Sequence, residues 1–316
     1  MPTVERGPSG LLIIRGGDRF LVDCGEGTQR QLMRSVGLAR IDRIFVTHLH
    51  GDHYLGLPGL LKTLSLQGRE SPLHIYGPAG LEDIYVSAQR MFGRFAFEVV
   101  LHEPRGGTAF RGEGFSMECA RTDHGPPSLA WALREEWRPG RFHPEQAEAL
   151  GVTPGPDFRR LQLGESVVLA SGDVVEPEQV MDERRAGRLI VVSGDTRPCA
   201  AVTEFARGAS VLVHDSTFTE YERMRALETR HSTAREAAQV AAEAGVGVLV
   251  LTHVSSRHSR RELLNEARAV FSHTFLPDDL DHLVVPFPEK GLGELLQAPA
   301  DGGGLFVEGP KTPDVA

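Results

Sequence analysis

The chain has 316 residues, 41% of them hydrophobic, and a formal net charge of −9 at pH 7. That length suits one large α/β domain, and the absence of any run of eighteen apolar residues argues against a membrane-spanning helix. The acidic balance, taken alone, argues against a nucleic-acid binder, although local basic patches and bound metal cations can outweigh a global sign.

Met1-Pro2-Thr3-Val4-Glu5-Arg6 shows no apolar core of a signal peptide. Cys24, Cys119 and Cys199 form no CxxC pair and read as free thiols of a reducing compartment, which predicts a cytoplasmic protein. Short apolar runs then alternate with helical patterns, the signature of α/β layering. Leu11–Ile14 and Phe20–Val22 read as a strand pair turning at Gly16-Gly17-Asp18. Thr28–Val36 reads as a helix stopped by Gly37. Arg43–Thr47 and Leu73–Tyr76 read as strands, and Leu81–Phe92 as a helix ending at Gly93. The segment 134–165 is rich in Pro, Gly and mixed charge and reads as an inserted arm. Strands are predicted at Val167–Ala170, Leu189–Ser193, Ser210–Val213 and Val246–Thr252. Thr233 with Glu236, and Ser259 with Glu262, form capping boxes that start two helices, the first stopped by Gly245. A single domain over 1–297, followed by a loose tail over 298–316, is the expected organisation.

The chemistry concentrates at Thr47-His48-Leu49-His50-Gly51-Asp52-His53. Side chains alternate along an extended segment, so His48 and His50 point the same way. Four nitrogen and oxygen ligands on one turn suit zinc, but they are too many for one ion that keeps an open position; two ions explain the surplus. Other strands also end on ligand-type residues: Asp123-His124, Gly194-Asp195, His214-Asp215 and His253. In layered α/β folds such strand ends gather at one edge. His48, His50 and His124 can then hold one ion, Asp52, His53 and His253 the other, with Asp195 bridging them.

His231 precedes a helix N-terminus, where a histidine can serve as a general acid; the alternative is a neighbour of the helix cap. His214 is a candidate to orient a ligand from behind. His74, His102, His143, His258, His273 and His282 carry no such pattern. Asp23-Cys24-Gly25-Glu26-Gly27-Thr28-Gln29 is a glycine-rich strand-to-helix turn whose amides can brace the metal turn or meet an anion.

Taken together, DCGEGTQ (23–29), THLHGDHYLGLPGL (47–60), DHGPPS (123–128), GDTRPC (194–199), HSTAREA (231–237) and LTHVSSR (251–257) resemble the ribonuclease Z family of tRNA 3′-processing endonucleases, within the metallo-β-lactamase superfamily. GVTPGPDFRRLQL (151–163) is similar to the Gly-Pro motif of that family's flexible arm. The resemblance implies a four-layer αββα sandwich with an inserted arm and two zinc ions. It implies a homodimer in which the arm of one subunit grips the tRNA cut by the other. The implied reaction is removal of the 3′ trailer from precursor tRNA, leaving a 3′-hydroxyl. The implied ligands are His48, His50, Asp52, His53, His124, Asp195 and His253. Asp52 matches the proton acceptor, and Asp215 is a candidate to hold His231. Arg134, Arg138, Arg141, Arg159 and Arg160 are the candidate tRNA contacts of the arm.

The sequence departs from the family pattern in places. It starts after the family's opening strand and Phe-Leu-Gly-Thr-Gly-type loop, so either the start is misplaced or an edge of the first sheet is missing, which predicts weakened structure. His214-Asp215-Ser216-Thr217 stands for His-Glu-Ala-Thr, Arg159-Arg160-Leu161-Gln162 for Gly-Lys-Leu-Lys, and His258 closes the usual Ser-x-Arg-Tyr. Three rivals share parts of the pattern. A hydrolase of small esters would lack the Gly-Pro arm and HSTAREA, a di-iron oxidoreductase would want a carboxylate at His50, and a non-catalytic RNA binder would not need seven ligands.

Overall fold

The computed structural model describes Thr3, residues 6–38 and residues 41–298; the expected tail, apart from Ala298, lies outside the described residues. The first half runs β1 (Leu11–Arg15), β2 (Asp18–Val22), α1 (Thr28–Arg34), β3 (Arg43–Phe45), α2 (Gly51–Tyr54), α3 (Leu57–Leu66), β4 (Leu73–Tyr76), α4 (Leu81–Phe92) and β5 (Val99–His102). It continues with β6 (Gly107–Gly112), β7 (Phe115–Arg121), β8 (Leu129–Glu135), α5 (Pro144–Ala149), α6 (Pro156–Gln162), β9 (Val167–Val168) and β10 (Val174–Val175). The remainder is β11 (Leu189–Val192), α7 (Ala200–Phe205), β12 (Val211–Asp215), α8 (Arg223–Thr229), α9 (Ala234–Ala244), β13 (Val248–Thr252), α10 (Arg260–Arg268), β14 (Thr274–Phe275), β15 (His282–Val284) and β16 (Glu294–Leu296).

Among the described residues, one sheet has the order β1-β2-β3-β4-β5 and a second the order β14-β13-β12-β11-β8-β7-β6. Strand periodicity decides how the layers stack. Along β12, Val211 and Val213 face the other sheet while Leu212 faces helices; β13 repeats this with Val248 and Val250 against Leu249 and Leu251. Register aligns the faces, pairing Val213 with Val192 on one side and with Val250 on the other. Between the sheets, Phe20, Val22, Phe45 and Tyr76 meet Met117, Trp131, Val192 and Val213. Outside, Leu57, Leu60, Leu61 and Leu64 of α3 cover Ile44 and Ile75, and the Ala-rich face of α9 covers Leu212 and Leu249. The result is the helix–sheet–sheet–helix order of the metallo-β-lactamase fold. Both capping boxes form, Thr233 Oγ1 accepting from the Glu236 amide and Ser259 Oγ from that of Glu262.

The inserted segment differs in extent from the expected 134–165. β8 runs through Arg134 to Glu135, and the chain rejoins the main sheet only at Leu189. The outgoing and returning strands are zipped at Arg138–Arg185 and Phe142–Met181. The strand expected at Val167–Ala170 forms over Val167–Val168 and pairs with Val174–Val175 in a local hairpin. Ala147, Val152, Leu161, Val167, Val175 and Val180 form a separate small core. The apolar run 167–170 closes this core rather than the main one.

Glu135 ties both sheets to the base of this insert. Its carboxylate accepts from Arg188 Nη2 and Nε, both at 2.7 Å, and from Arg15 Nε at 2.9 Å. Burial alone would raise its pKa, but these guanidinium hydrogen bonds hold it below the usual range. A depressed carboxyl pKa contributes stability above its unfolded value, about 4.3, and loses it as pH falls through the folded value. Glu135→Gln is therefore expected to cost about 2–3 kcal/mol at pH 7. Denaturant titration should show the gap to wild type closing below about pH 4.

Candidate active site

The carboxyl ends of β3, β7, β11, β12 and β13 deliver His48, His124, Asp195, Asp215 and His253 to one edge, as the strand-end pattern predicts. The isolated pairing of His48 with Ser128, and the Leu129 amide on the Thr47 carbonyl at 2.8 Å, join the two sheets there. His48 Nε2 and His124 Nε2 lie 3.0 and 3.1 Å from His50 Nδ1. His253 Nε2 lies 3.1 Å from Asp52 Oδ2. Asp195 Oδ2 stands between the two groups, 3.7 Å from His48 Nε2, 3.4 Å from His53 Nε2, 3.9 Å from His124 Nε2 and 3.3 Å from His253 Nε2. All seven expected ligands are thus brought together.

Outer hydrogen bonds aim these rings. Asp23 Oδ2 binds His53 Nδ1 at 2.7 Å, Thr217 Oγ1 binds His253 Nδ1 at 2.9 Å, and the Arg230 carbonyl binds His124 Nδ1 at 3.0 Å. With each Nδ1–H so engaged, the opposite nitrogen presents its lone pair to the centre. Sequence reading missed Asp23 in this role, along with Thr47 and Thr217. Asp23 obeys the same rule of a strand ending on a ligand-type residue, but the glycines beside it drew attention to the turn. That turn does brace the metal loop: the Cys24 amide donates to the His53 carbonyl, and the Gly56 amide to the Cys24 carbonyl. A Cβ on Gly25 would stand 2.4 Å from the Asp52 carbonyl oxygen, so only glycine permits the approach. Asp23, Arg230 and His253 hold left-handed backbones (φ 59°, 57° and 56°), a strain that gathers at functional sites.

The donor set fits metal cations. His48 Nε2, His50 Nδ1 and His124 Nε2 converge as three nitrogens that one proton cannot satisfy. His53 Nε2 is buried without a hydrogen-bond partner. Burial first, and the neighbouring His53 next, push the His48 imidazole down to about 2, and burial also lowers His124, so both are neutral, the form that binds metal. Burial opposes charge on His53 as well, but Asp23 and Asp195 push it up to about 11; carboxylates that favour a proton there favour any cation. Burial would raise Asp195, yet His253 and His53 keep it well below the usual carboxylate range. Among the described residues, His48, His50, His124 and Asp195 form one potential metal-binding group, and Asp52, His53 and His253 another.

His231 stands beside this centre. Its Nδ1 lies 2.7 Å from Asp215 Oδ2, and its ring stacks on His253 at 5.1 Å. The Asp215 carboxylate also accepts from the Thr217 hydroxyl at 2.7 Å and from the Thr196 amide at 3.0 Å. His214 takes the opposite face of β12, as alternation requires; its Nδ1 bonds the Asp215 carbonyl at 2.9 Å, and its side chain stays out of the metal centre. Four of the six histidines without a pattern join other partners: His74 with His102, His143 with Asp182, and His258 with Glu222. Of the arm arginines, Arg134 sits on β8 paired with Glu118, outside the insert. Arg138 is tied to Glu289 and stacked 3.5 Å over Phe287 at the insert's base. Arg160 pairs with Asp157 and Glu165, whereas Arg141 and Arg159 are exposed.

Residues 18–254 match the model of the β-lactamase superfamily domain. The chain is 47% identical to the ribonuclease Z of Methanosarcina acetivorans, over 91% of this chain and 95% of that protein. It is also 47% identical to that of Myxococcus xanthus, over 84% and 88%. Among solved structures, the short form of human tRNase Z is similar, with a TM-score of 0.65, 28% identity, and coverage of 90% of this chain and 95% of that one. With its ligand-bearing strand ends and these relatives, the chain belongs to the ribonuclease Z family of the metallo-β-lactamase superfamily and is a hydrolase of the endoribonuclease class.

Proposed function

We propose that this protein removes the 3′ trailer from precursor tRNA, using two zinc ions, and leaves a 3′-hydroxyl on the tRNA. The carrying observation is the convergence of seven ligands beside an aspartate-held histidine. Zinc ions held by His48, His50 and His124, by Asp52, His53 and His253, and by Asp195 between them would make water acidic near neutral pH and offset charge on the phosphate oxygens. Asp52 is held ionised, first by its hydrogen bond to His253, and accepts the proton of the attacking water. The bond from phosphorus to the 3′ oxygen breaks, and His231, its Nδ1 on Asp215, delivers a proton from Nε2 to that oxygen. We further propose a homodimer, supported by exposed Met33, Leu66 and Met91 on the helices over the first sheet. A cytoplasmic location is supported by three unpaired cysteines. Among the described residues, no helix is long and apolar enough to cross a membrane.

End-labelled precursor tRNA should be cut once at the trailer junction, and a chelator should abolish the cut. Uncut substrate with fully metal-loaded protein would refute the reading. The insert is proposed to hold the tRNA, with exposed Arg141 and Arg159 among its cations. Replacing residues 139–184 by a two-residue turn should weaken precursor binding and lower the log–log salt slope by roughly one per lost phosphate contact. Hydrolysis of a small phosphodiester should persist, since every metal ligand lies outside the insert. Removing only its first half would strand Val167, Val175 and Val180 and confuse the result. Equal loss of both activities would place the insert in the catalytic fold rather than in tRNA binding.

A further inference from the structure

Next to His231, a cleft of about 600 Å³ opens between the loop after Asp195 and helix α8. Its apolar floor includes Pro198, Met224 and Leu227. Met224 and Leu227 are one turn apart on α8 and are 70% and 52% exposed, so among the described residues little covers this helix face. Arginines edge the cleft. Arg197 lies along one side, held by Asp123 at 2.7 Å, and Arg230 reaches the other oxygen of the same carboxylate at 3.3 Å. Arg223 flanks the opposite side, 3.4 Å from Glu236. Three guanidiniums thus gather beside the cleft, paired with Asp123, Glu236 and Glu220, on a chain whose overall charge is −9. An apolar platform edged with guanidinium groups complements a nucleobase followed by phosphate.

The geometry points to a nucleotide subsite in this cleft. It takes the nucleoside on the 5′ side of the cut, with its base on Met224 and Leu227 and its 5′ phosphate against Arg197 and Arg223. His231 fixes the side. It lines the cleft and also faces the metal ligands, and a proton donor must stand beside the leaving oxygen. That oxygen is the 3′ oxygen of the 5′ nucleoside. The subsite rests on the precursor-tRNA reading above and extends it to the bases around the cut.

Two precursor tRNAs separate the possibilities, one abasic immediately 5′ of the cut and one abasic immediately 3′. With wild type, the 5′ lesion should lower kcat/KM about tenfold, the scale of one stacked base, and the 3′ lesion less than twofold. The exposed pair Met224→Ala/Leu227→Ala should lose a similar factor on intact precursor and nothing further on the 5′-abasic one. Equal penalties at both positions, or additive losses in the variant, overturn the subsite. So does a Met224→Glu/Leu227→Glu variant that changes the oligomeric state while kcat/KM on precursor stays constant, which would assign the face to a subunit contact. Wild type that hydrolyses bis(p-nitrophenyl) phosphate but cuts no precursor tRNA would overturn the parent reading and the subsite with it.

Discussion

Asp195→Ala is expected to lose bound metal and activity together, with cleavage falling at least about 10³-fold. The reason is positional. Asp195 Oδ2 lies 3.3–3.9 Å from the inward nitrogens of His48, His53, His124 and His253, so removing it takes the shared anion from both groups at once. It also leaves buried imidazoles without the carboxylate that offsets their charge. Asp23→Asn offers a graded comparison. It perturbs the bond behind His53, together with the bonds Asp23 accepts from Thr47 and Ser9, and should weaken metal affinity about 10–100-fold while leaving the ligand set intact. Elemental analysis alongside precursor cleavage reads both variants. A metal-replete, active Asp195→Ala protein would show that the two groups bind independently and that the bridging role is wrong.

His231→Ala should behave differently. Its ring stacks on His253, meets His124 edge to face, lies 3.9 Å from Asp195 Oδ2 and is anchored by Asp215 at 2.7 Å, so metal content should stay near the wild-type level. Cleavage of precursor tRNA should fall about 10²–10⁴-fold, the worth of acid assistance to a poor leaving group. Bis(p-nitrophenyl) phosphate expels a stable phenolate and needs no proton, so its hydrolysis should fall by less than about threefold. Equal losses on both substrates would mean that His231 acts in binding or structure rather than as the proton donor. Loss of metal would place it among the ligands, which its distance of 3.9 Å from Asp195 Oδ2 keeps open to direct test.

Much of the site is legible in the residues because its chemistry is local. His48, His50, Asp52 and His53 fall within six positions, and strand alternation with a following turn aims them together. His124, Asp195 and His253 each follow an apolar strand, and the ends of such strands meet at one edge. The capping boxes at Thr233 and Ser259 are equally local and formed as read. The partners behind the ligands are another matter. The bond from Asp23 to His53 spans 30 positions and depends on how the sheets stack, whereas Asp215, 16 positions from His231, is already a candidate to hold it in the sequence.

The amino-acid sequence by itself therefore determined the layered class, the candidate ligand set and the family, through periodicity, strand-end residues and short motifs. The tertiary structure alone decided what lies across long separations. Arg138, read as a tRNA contact, is drawn to Glu289 across 151 positions and serves the base of the insert. The strand at Val167, expected without a partner, closes a separate small core because Val175 lies across a tight turn. The cleft beside His231 exists only because the loop after β11 and helix α8 converge there. Burial, register and ion pairing between distant segments follow from the packing of the whole chain, and no local pattern of apolar and charged residues encodes them.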